Sequence, residues 1–493
     1  MQLTRSSGVL LPVFSLWGSD SIGGFGREAC TFIDFLADCG FTWWQVLPFC
    51  MADECNSPYK SFSAFGGNPY FVDIRILAEK GYLTQAEVAS VRESTPWVCE
   101  YETLRDTRLD LLRLAASRAD EAARQQVTAF LAANPYLEQF CRFMALRRAN
   151  GDRPWYRWPA DSADRMDEQE YFAWAFIQYH FMKQWQTVHD YAAARGVKIL
   201  GDMPIYVAYD SCDVWANRAQ FDLDRDGAPR CVAGCPPDYF SAEGQLWGNP
   251  LYNWAGMRKD GYTWWADRMT HMLKLFDGVR IDHFRGFESY WSIPATASSA
   301  KEGQWKRGPG MPLVRRLQQV AEDIRTESGR EVLIVAEDLG ESTPALAKFV
   351  QASGFPGMRV LQFAFDGDPG NIHLPHNHTP NTVAYTGTHD NNTLLGYIWE
   401  ADEATRRRTL RYCGFTGQDW NCPDSSRAVI RTLFASCAGM AILPLQDLLG
   451  YGADTRLNIP GNPEGNWRYR ITAAQLDTVD RDFCRELNQL YGR

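Results

Sequence analysis

The chain has 493 residues, of which 45% are hydrophobic and 22% charged, a composition typical of a globular protein that buries a large core. Acidic residues outnumber basic ones by 60 to 50, and the net charge of −10 argues against binding to nucleic acid or to an anionic membrane surface. The sequence contains no run of about 18 apolar residues, so it predicts no membrane span.

The first fifty residues predict a strand–helix–strand unit. Residues 9–14 have strand character, residues 27–38 form an amphipathic helix that Gly40 ends, and residues 42–47 form the next strand. Consecutive strands joined through a helix run parallel, so a parallel sheet begins here. The polar and aromatic loop 56–70 that follows is long enough to be functional.

From residue 168 onward, helices alternate with short apolar strands. These strands are predicted at residues 197–200, 279–281, 332–335, 360–363, 382–385 and 441–443. With the two N-terminal strands they number eight, which predicts an α/β fold: a (β/α)8 TIM barrel with large loop insertions and no C-terminal β-sandwich. A doubly wound open sheet is the alternative, but neither a Gly-x-Gly-x-x-Gly turn nor a Walker loop supports it.

Three parts of the chain follow from this pattern. Residues 1–75 would supply the first part of the barrel and a substrate loop. Residues 76–165 form a mainly helical insertion subdomain, in which Asn134 is expected to cap a helix that begins at Pro135. Residues 166–493 would complete the barrel and carry an active-site loop at 234–250, which is rich in aromatic residues and glycine.

Residues 277–287 have the sequence Asp-Gly-Val-Arg-Ile-Asp-His-Phe-Arg-Gly-Phe, in which charged and titratable side chains are concentrated. A short apolar strand ends abruptly in charge there, as strands do where their carboxyl ends open on an active site. Arg280 and Asp282 lie two residues apart and therefore point to the same face of a strand. The cation would keep the Asp282 carboxylate ionised. The alternative is a purely structural Arg–Asp pair.

Three strands in the second half of the chain end in carboxylates, namely Asp282, Glu337 and Asp390, and Asp202 ends an earlier strand in the same way. Each could be a simple strand cap, but in a barrel all would converge over one face. Carboxylates without a metal or a Ser or Cys nucleophile fit glycosidic-bond chemistry. The apolar approach Leu-Ile-Val-Ala predicts that desolvation raises the pKa of Glu337.

Neither a metal nor a cofactor is expected. Asp222–Gly227 imitates the start of a calcium loop, but its twelfth position is Ala233 rather than Glu, which favours a solvated turn. Cys231 and Cys235 are the only close pair among thirteen cysteines, and no further ligands complete a zinc site. Reduced thiols and the absence of a signal peptide predict a cytoplasmic protein.

Nearly the whole chain, from Arg5 to Arg468, resembles the amylomaltases, which are 4-α-glucanotransferases or disproportionating enzymes of the α-amylase superclan. The catalytic motifs of that family are similar to Gly-Val-Arg-Ile-Asp-His-Phe-Arg-Gly, Ala-Glu-Asp-Leu-Gly and Thr-His-Asp-Asn. Its binding loops are similar to Ser-Pro-Tyr-Lys-Ser-Phe-Ser-Ala-Phe and Pro-Pro-Asp-Tyr-Phe-Ser.

By that resemblance, Asp282 is the nucleophile, Glu337 the acid/base and Asp390 the transition-state stabiliser. The resemblance also implies residues that bind glucose units: Tyr59, Asp202, Arg280, His283, Asp338, His389 and Asn458. It implies a loop over the cleft that is formed by Tyr239, Phe240, Gln245 and Trp247.

The implied activity is transfer of α-1,4-glucan segments between maltodextrins, by a retaining double displacement through a covalent glycosyl-Asp282 intermediate. Maltooligosaccharides and related α-1,4-glucans would be donor and acceptor, as in starch or glycogen metabolism. An α-amylase-like hydrolase of the same fold is the first alternative. A non-catalytic glucan-binding protein is the second, but it predicts the loss of a carboxylate, and all three are present.

Overall fold

The computed structural model describes residues 3–18, 20–52, 55–237, 243–340, 343–462 and 464–493. Within these ranges there are twelve strands: β1 (Ser6–Leu10), β2 (Trp43–Gln45), β3 (Lys198–Met203), β4 (Cys231–Cys235), β5 (Gln245–Pro250), β6 (Gly278–Ile281), β7 (Ser289–Pro294), β8 (Gln304–Arg307), β9 (Leu333–Ala336), β10 (Gly357–Val360), β11 (Thr382–Tyr385) and β12 (Met440–Pro444).

The same ranges contain the following α-helices: α1 (Arg27–Asp38), α2 (Ile74–Glu79), α3 (Gln85–Ser90), α4 (Tyr101–Ser117), α5 (Glu121–Ala132), α6 (Pro135–Ala149), α7 (Glu168–Ala194), α8 (Cys212–Ala216), α9 (Trp254–Lys259), α10 (Thr263–Leu275), α11 (Met311–Ser328), α12 (Pro344–Ser353), α13 (Leu394–Glu400), α14 (Glu403–Tyr412), α15 (Pro423–Ala435), α16 (Leu445–Leu449), α17 (Ala473–Leu476) and α18 (Arg481–Tyr491). None of these described helices is long and apolar enough to cross a membrane.

Eight parallel strands close into a barrel in the order β1-β12-β11-β10-β9-β6-β3-β2. Closure is made by β1, in which Ser6 pairs with Met440 of β12 and Gly8 pairs with Trp43 of β2. Strands β6, β11 and β12 are buried along their whole length, as expected for parallel strands covered by helices. The predicted (β/α)8 barrel is confirmed, and an open doubly wound sheet is excluded.

Local sequence explains several elements directly. Helix α1 occupies the predicted residues 27–38, buries Phe32, Ile33 and Leu36 on one face, and is followed by Gly40 at φ 80°. A left-handed glycine after the last turn is a common helix stop, because glycine adopts positive φ without steric cost.

Two predicted strands are displaced in the structure. β1 covers residues 6–10 rather than 9–14, and residues 13–15 form a 3-10 turn after Pro12. β10 covers residues 357–360, whereas the predicted apolar run 361–363 is again a 3-10 turn. In both cases the apolar run continues into the turn beyond the carboxyl end of the strand, so hydrophobicity alone placed the strand too late.

The predicted loop 234–250 is in part a sheet. β4 and β5 form an antiparallel sheet with β7 and β8, in the order β5-β4-β7-β8. The pairing of β4 with β7 joins residues 231–234 to residues 291–294, which lie about sixty positions later in the chain. The prediction that residues 234–250 form a loop is therefore wrong for residues 234–235, which belong to β4, and for residues 245–250, which form β5. Tyr239 and Phe240 lie outside the described residues.

Helices α2 to α7 separate β2 from β3, and α4, α5 and α6 pack against the long helix α7. Phe140 of α6 meets Trp174 of α7 edge-on, with the ring centroids 5.6 Å apart. α6 begins at Pro135 as predicted, but the Asn134 side chain donates to the carbonyl of Phe130 instead of capping the helix. The division at residues 75 and 165 stays a prediction.

Candidate active site

The acidic residues lie at the carboxyl rim of the barrel because of strand register. Ile281 of β6 pairs with Ala336 of β9, so the next residues, Asp282 and Glu337, leave adjacent strands at the same level. On the other side of β6, Arg280 pairs with Asp202 of β3. Parallel strands thus bring together groups that are 135 residues apart in sequence.

A chain of hydrogen bonds orients Asp282. The Tyr59 hydroxyl donates to Asp202 Oδ2 at 2.6 Å, and Arg280 Nη1 donates to both Asp202 oxygens at 2.7 and 2.8 Å. Arg280 Nη2 reaches Asp282 Oδ1 at 2.9 Å. Asp202 has no exposed surface, so its place in the structure is that of a group that holds Arg280 and Tyr59. A direct contact between Asp202 and a glucose unit stays a prediction.

Glu337 is buried and held by two backbone amides. The N–H of His283 donates to Glu337 Oε2 and the N–H of Leu339 donates to Oε1, both at 2.7 Å. His283 has a φ of 51°, a conformation that non-glycine residues adopt at a cost and that is concentrated at functional sites. The amide that directly follows the predicted nucleophile thus donates to the predicted acid.

The two carboxyls differ in electrostatic environment. Burial raises the pKa of Glu337 to about 7, with the Asp282 charge adding to the effect and the Arg280 charge opposing it. Burial also raises the pKa of Asp282, to about 6, against the opposing charges of Arg280 and His389. The side chain of Asp282 is 28% exposed, whereas Glu337 as a whole residue is only 9% exposed, so we place Glu337 above Asp282 in pKa.

This order agrees with the sequence prediction that desolvation raises the pKa of Glu337. At neutral pH Asp282 is predominantly ionised, as expected from its arginine neighbour. The sequence did not indicate the upward shift of the Asp282 pKa, because the depth of burial depends on segments remote in the chain.

Asp390 is fixed as an anion. Its Oδ2 lies 3.3 Å from His389 Nε2, and its Oδ1 accepts a 2.6 Å hydrogen bond from Asn458 Nδ2. Burial pushes the pKa of Asp390 upward, but the His389 charge and the hydrogen bonds from His389 and Asn458 outweigh it and hold this pKa well below its usual range. Burial alone would lower the pKa of His389, yet the charge of Asp390 raises it.

Two residues that the sequence analysis did not select complete this corner. Arg456 Nη2 donates to the backbone carbonyl of Asp390 at 2.6 Å, while its Nε donates to the carbonyl of Asn458 at 2.7 Å. Trp467 has a φ of 64° and lies 5.8 Å from the ring of Tyr59, between centroids. Every residue has a backbone carbonyl, so no sequence motif indicates which carbonyl an arginine will contact. The sequence therefore did not indicate a role for Arg456.

Aromatic rings surround the carboxylates. Tyr59 stacks on His389 with centroids 5.0 Å apart and planes 20° apart. Trp247 meets His283, the residue after Asp282, edge-on with the ring centroids 5.0 Å apart. Burial lowers the pKa of His283 to about 4, so this imidazole is neutral at physiological pH. Flat faces beside neutral hydrogen-bonding groups are suited to a sugar ring.

The remaining predicted binding residues occupy the edges of the site. Gln245 Oε1 accepts a hydrogen bond from Trp247 Nε1 at 3.0 Å, which orients the indole on β5. Asp338 follows Glu337 but turns toward β10, where it accepts from the backbone N–H of Met358 at 2.7 Å and from Arg359 Nη1 at 3.1 Å. These bonds occupy much of the Asp338 carboxylate, and a glucose contact there stays a prediction.

In the part of the chain that the structure describes, no three His, Cys, Asp or Glu side chains are grouped so that they could hold a metal ion. At the calcium-loop imitation, Asp224 Oδ1 accepts hydrogen bonds from the backbone N–H groups of Asp226 and Ala228, both at 2.9 Å. This carboxylate thus forms a local turn within the chain.

A closed (β/α)8 barrel with three convergent carboxylates, an arginine that binds one of them and a rim of aromatic rings defines a barrel enzyme with a carboxylate-based active centre. Comparison with known proteins identifies the family within this class. The model of the 4-alpha-glucanotransferase family matches residues 11–476. The chain therefore belongs to the 4-alpha-glucanotransferase family.

Similar proteins span the whole chain. The 4-alpha-glucanotransferase of Streptococcus pneumoniae serotype 4 is 41% identical, with 99% of this chain and 97% of the relative covered. The 4-alpha-glucanotransferase of Thermus thermophilus is 40% identical, with coverage of 97% and 96%. Among solved structures, the amylomaltase from Streptococcus agalactiae in complex with acarbose superposes with a TM-score of 0.93 at 34% identity, covering 99% of this chain and all of that one.

Proposed function

We propose that this 4-alpha-glucanotransferase moves α-1,4-glucan segments between maltodextrins by a retaining double displacement. The observation that carries the proposal is the pairing of two unlike carboxyls on adjacent strands. Asp282 is ionised and held by Arg280, whereas Glu337 is more deeply buried and has the higher pKa. Two carboxyls with separated pKa values can divide the roles of nucleophile and acid.

In the first step, the Asp282 carboxylate attacks the anomeric carbon of the donor and forms a glycosyl ester. Glu337 gives its proton to the departing glycosidic oxygen, which leaves as the new chain end of the shortened glucan. In the second step, Glu337 takes the proton from the 4-hydroxyl of an acceptor, which attacks the anomeric carbon and releases Asp282. Two inversions preserve the α configuration. Asp390 stays anionic and would stabilise the positive charge that develops on the sugar.

The neighbouring side chains would hold the glucose units. Tyr59, beside His389, and Trp247, beside His283, supply flat aromatic rings, and His283 is a neutral hydrogen-bonding group. Arg280 would act through Asp282 by keeping it ionised and oriented, and Asp202 would hold Arg280 in place. Asn458 would act in the same way through Asp390.

Incubation of the enzyme with maltotriose tests this function. Transfer converts maltotriose into glucose and a ladder of longer maltodextrins, without an increase in reducing ends. Hydrolysis, the alternative for this fold, yields only shorter sugars and a rise in reducing ends. Chromatography of the products together with a reducing-end assay distinguishes the two, and the absence of longer products would contradict the proposal.

The pH dependence of kcat/KM follows from the two shifted pKa values. Turnover needs Asp282 ionised and Glu337 protonated. Asp282 gains a proton as the pH falls through about 6, and Glu337 loses its proton as the pH rises through about 7. We therefore expect a bell-shaped profile with its maximum between these values, measured as initial rates on maltotriose. A rate that stays constant well above pH 7, in enzyme whose circular dichroism is unchanged, would contradict the role of Glu337.

Transfer rather than hydrolysis requires discrimination against water. With water at about 55 M and an acceptor sugar at about 1 mM, the preference must reach about 10⁴–10⁵, or roughly 6 kcal/mol. Trp247 could contribute by stacking on the acceptor and excluding water beside His283.

We expect the Trp247→Ala variant to raise the ratio of hydrolysis to transfer while it still cleaves maltotriose. The measurement is glucose and reducing ends released at low and high acceptor concentration. Tyr239→Ala, in the same predicted loop, should act in the same direction. The control is Trp420→Ala, which removes an indole that is covered by Arg406 elsewhere on the molecule. If Trp247→Ala keeps the parent ratio, Trp247 is a structural contact and the preference for sugar has another source.

A further inference from the structure

The antiparallel sheet beside the barrel exposes a row of apolar side chains. Its register places Leu246 of β5 opposite Gly234 of β4, Gly234 opposite Trp291 of β7, and Trp291 opposite Trp305 of β8. Directly opposed residues share one face of a sheet. Leu246 is 46% exposed and Trp305 is 40% exposed, so both ends of the row reach solvent.

The indole of Trp305 is packed against two neighbouring side chains. Trp291 meets it edge-on with centroids 5.3 Å apart, and the Arg285 guanidinium lies 4.3 Å from its ring centroid. Trp291 is itself fixed, because its Nε1 donates to the carbonyl of Ala300 at 2.8 Å. Gly303 packs so closely that an added Cβ would lie 2.2 Å from that nitrogen. An exposed ring that is already ordered loses little conformational entropy when a ligand stacks on it.

The segment that supports Trp305 is joined through the chain to the active site. Arg285 belongs to the 3-10 turn Phe284–Phe287, which directly follows His283. β7 begins two residues after that turn, and the chain after β8 returns to it, since the N–H of Gly308 donates to the carbonyl of Glu288 at 2.8 Å. The segment that presents an amide to Glu337 therefore also supports Trp305.

We propose that Trp305 is a second glucan-binding site, outside the catalytic centre, which holds a remote part of a long α-1,4-glucan chain. The proposal rests on the function proposed above, because the occupant is the same polymer. The solvent-exposed part of the indole would stack on the C–H face of a glucose ring. Arg307 is exposed and lies two residues further along β8, so it is on the same face and can donate hydrogen bonds to sugar hydroxyls.

The chemistry of the surroundings favours sugar over a protein partner. The apolar row is interrupted by Gly234 and bordered on β8 by the exposed Arg307, rather than continued as a broad hydrophobic patch. Single flat rings beside hydrogen-bond donors suit a glucan, whereas a protein interface needs a larger contiguous area.

The test compares long and short substrates. We expect Trp305→Ala to raise KM for long-chain amylose three- to tenfold, with less than a twofold change in kcat/KM for maltotriose, which is too short to occupy both sites. Trp305→Leu keeps an apolar contact with Trp291 but removes the flat face, and should give the same result. Retardation of the variants in native gels that contain amylose should fall in parallel.

Trp420→Ala is the matched control, because Trp420 also carries an arginine, Arg406, over its ring, at 4.1 Å. An unchanged KM for amylose in both Trp305 variants would overturn the proposal. It would also be overturned by equal losses on amylose and maltotriose, which would show that Trp305 only supports the catalytic turn. In either case the parent enzyme would still disproportionate maltotriose, so failure of this site is distinct from failure of the proposed function.

Discussion

The Asp282→Asn variant is expected to lose at least about 10³-fold in the rate of maltotriose disproportionation while it retains its fold. Asparagine has nearly the same shape, but a neutral amide cannot attack the anomeric carbon to form a glycosyl ester. Arg280 keeps its partner Asp202, which accepts two hydrogen bonds from Nη1, so the buried cation is not left alone. The structure around position 282 should therefore survive the change.

Rates on maltotriose, thermal melting and circular dichroism measured on the same preparation check this expectation. Asp222→Asn serves as the control, because it makes the same chemical change at the start of the turn before β4 and should keep the parent rate. Near-normal turnover by a well-folded Asp282→Asn preparation would show that another group is the nucleophile.

The Glu337→Gln variant is expected to accumulate a covalent intermediate. Glutamine cannot protonate a glycosidic oxygen, so transfer between maltodextrins should fall by about 10³-fold or more. A glycosyl fluoride still reacts, because fluoride departs without a proton. The second step then stalls, since the amide that replaces the Glu337 carboxylate cannot act as a base to activate the acceptor. Intact-protein mass spectrometry should show the adduct, and peptide mapping should place it on Asp282.

The double variant Asp282→Asn, Glu337→Gln should stay unlabelled under the same conditions. Label on any other residue would refute the assignment of Asp282. Products with the β configuration would refute retention, a mechanism for which the two carboxyl groups are expected to lie about 5–5.5 Å apart.

Much of the fold could be predicted because the signals are local. β11 occupies the predicted residues 382–385, where four apolar or β-branched residues are bounded by polar ones. The antiparallel sheet was missed for the opposite reason. β4 has the sequence Cys-Val-Ala-Gly-Cys, which shows little alternation, and its strand character depends on pairing with β7 far along the chain.

The site residues likewise fall into those that local sequence signals predict and those that depend on long-range packing. Asp282, Glu337 and Asp390 could be selected because each follows a short apolar strand, and strand ends converge in a barrel. The burial of Asp202 and the contact of Arg456 with the Asp390 carbonyl depend on three-dimensional packing, and no sequence pattern specifies them. The resemblance to a family named functional residues, but only the structure separates side chains that face the cleft from those that hold them.

The closure of the barrel by β1 and β12 has a consequence for how the protein is made. β1 is synthesised first, yet one of its edges stays unpaired until residues 440–444 have been added. At about 5–20 residues per second, that interval lasts roughly 20–90 s. An open strand edge invites pairing with other chains. During this interval the edge of β1 that will pair with β12 is therefore available for pairing with other chains.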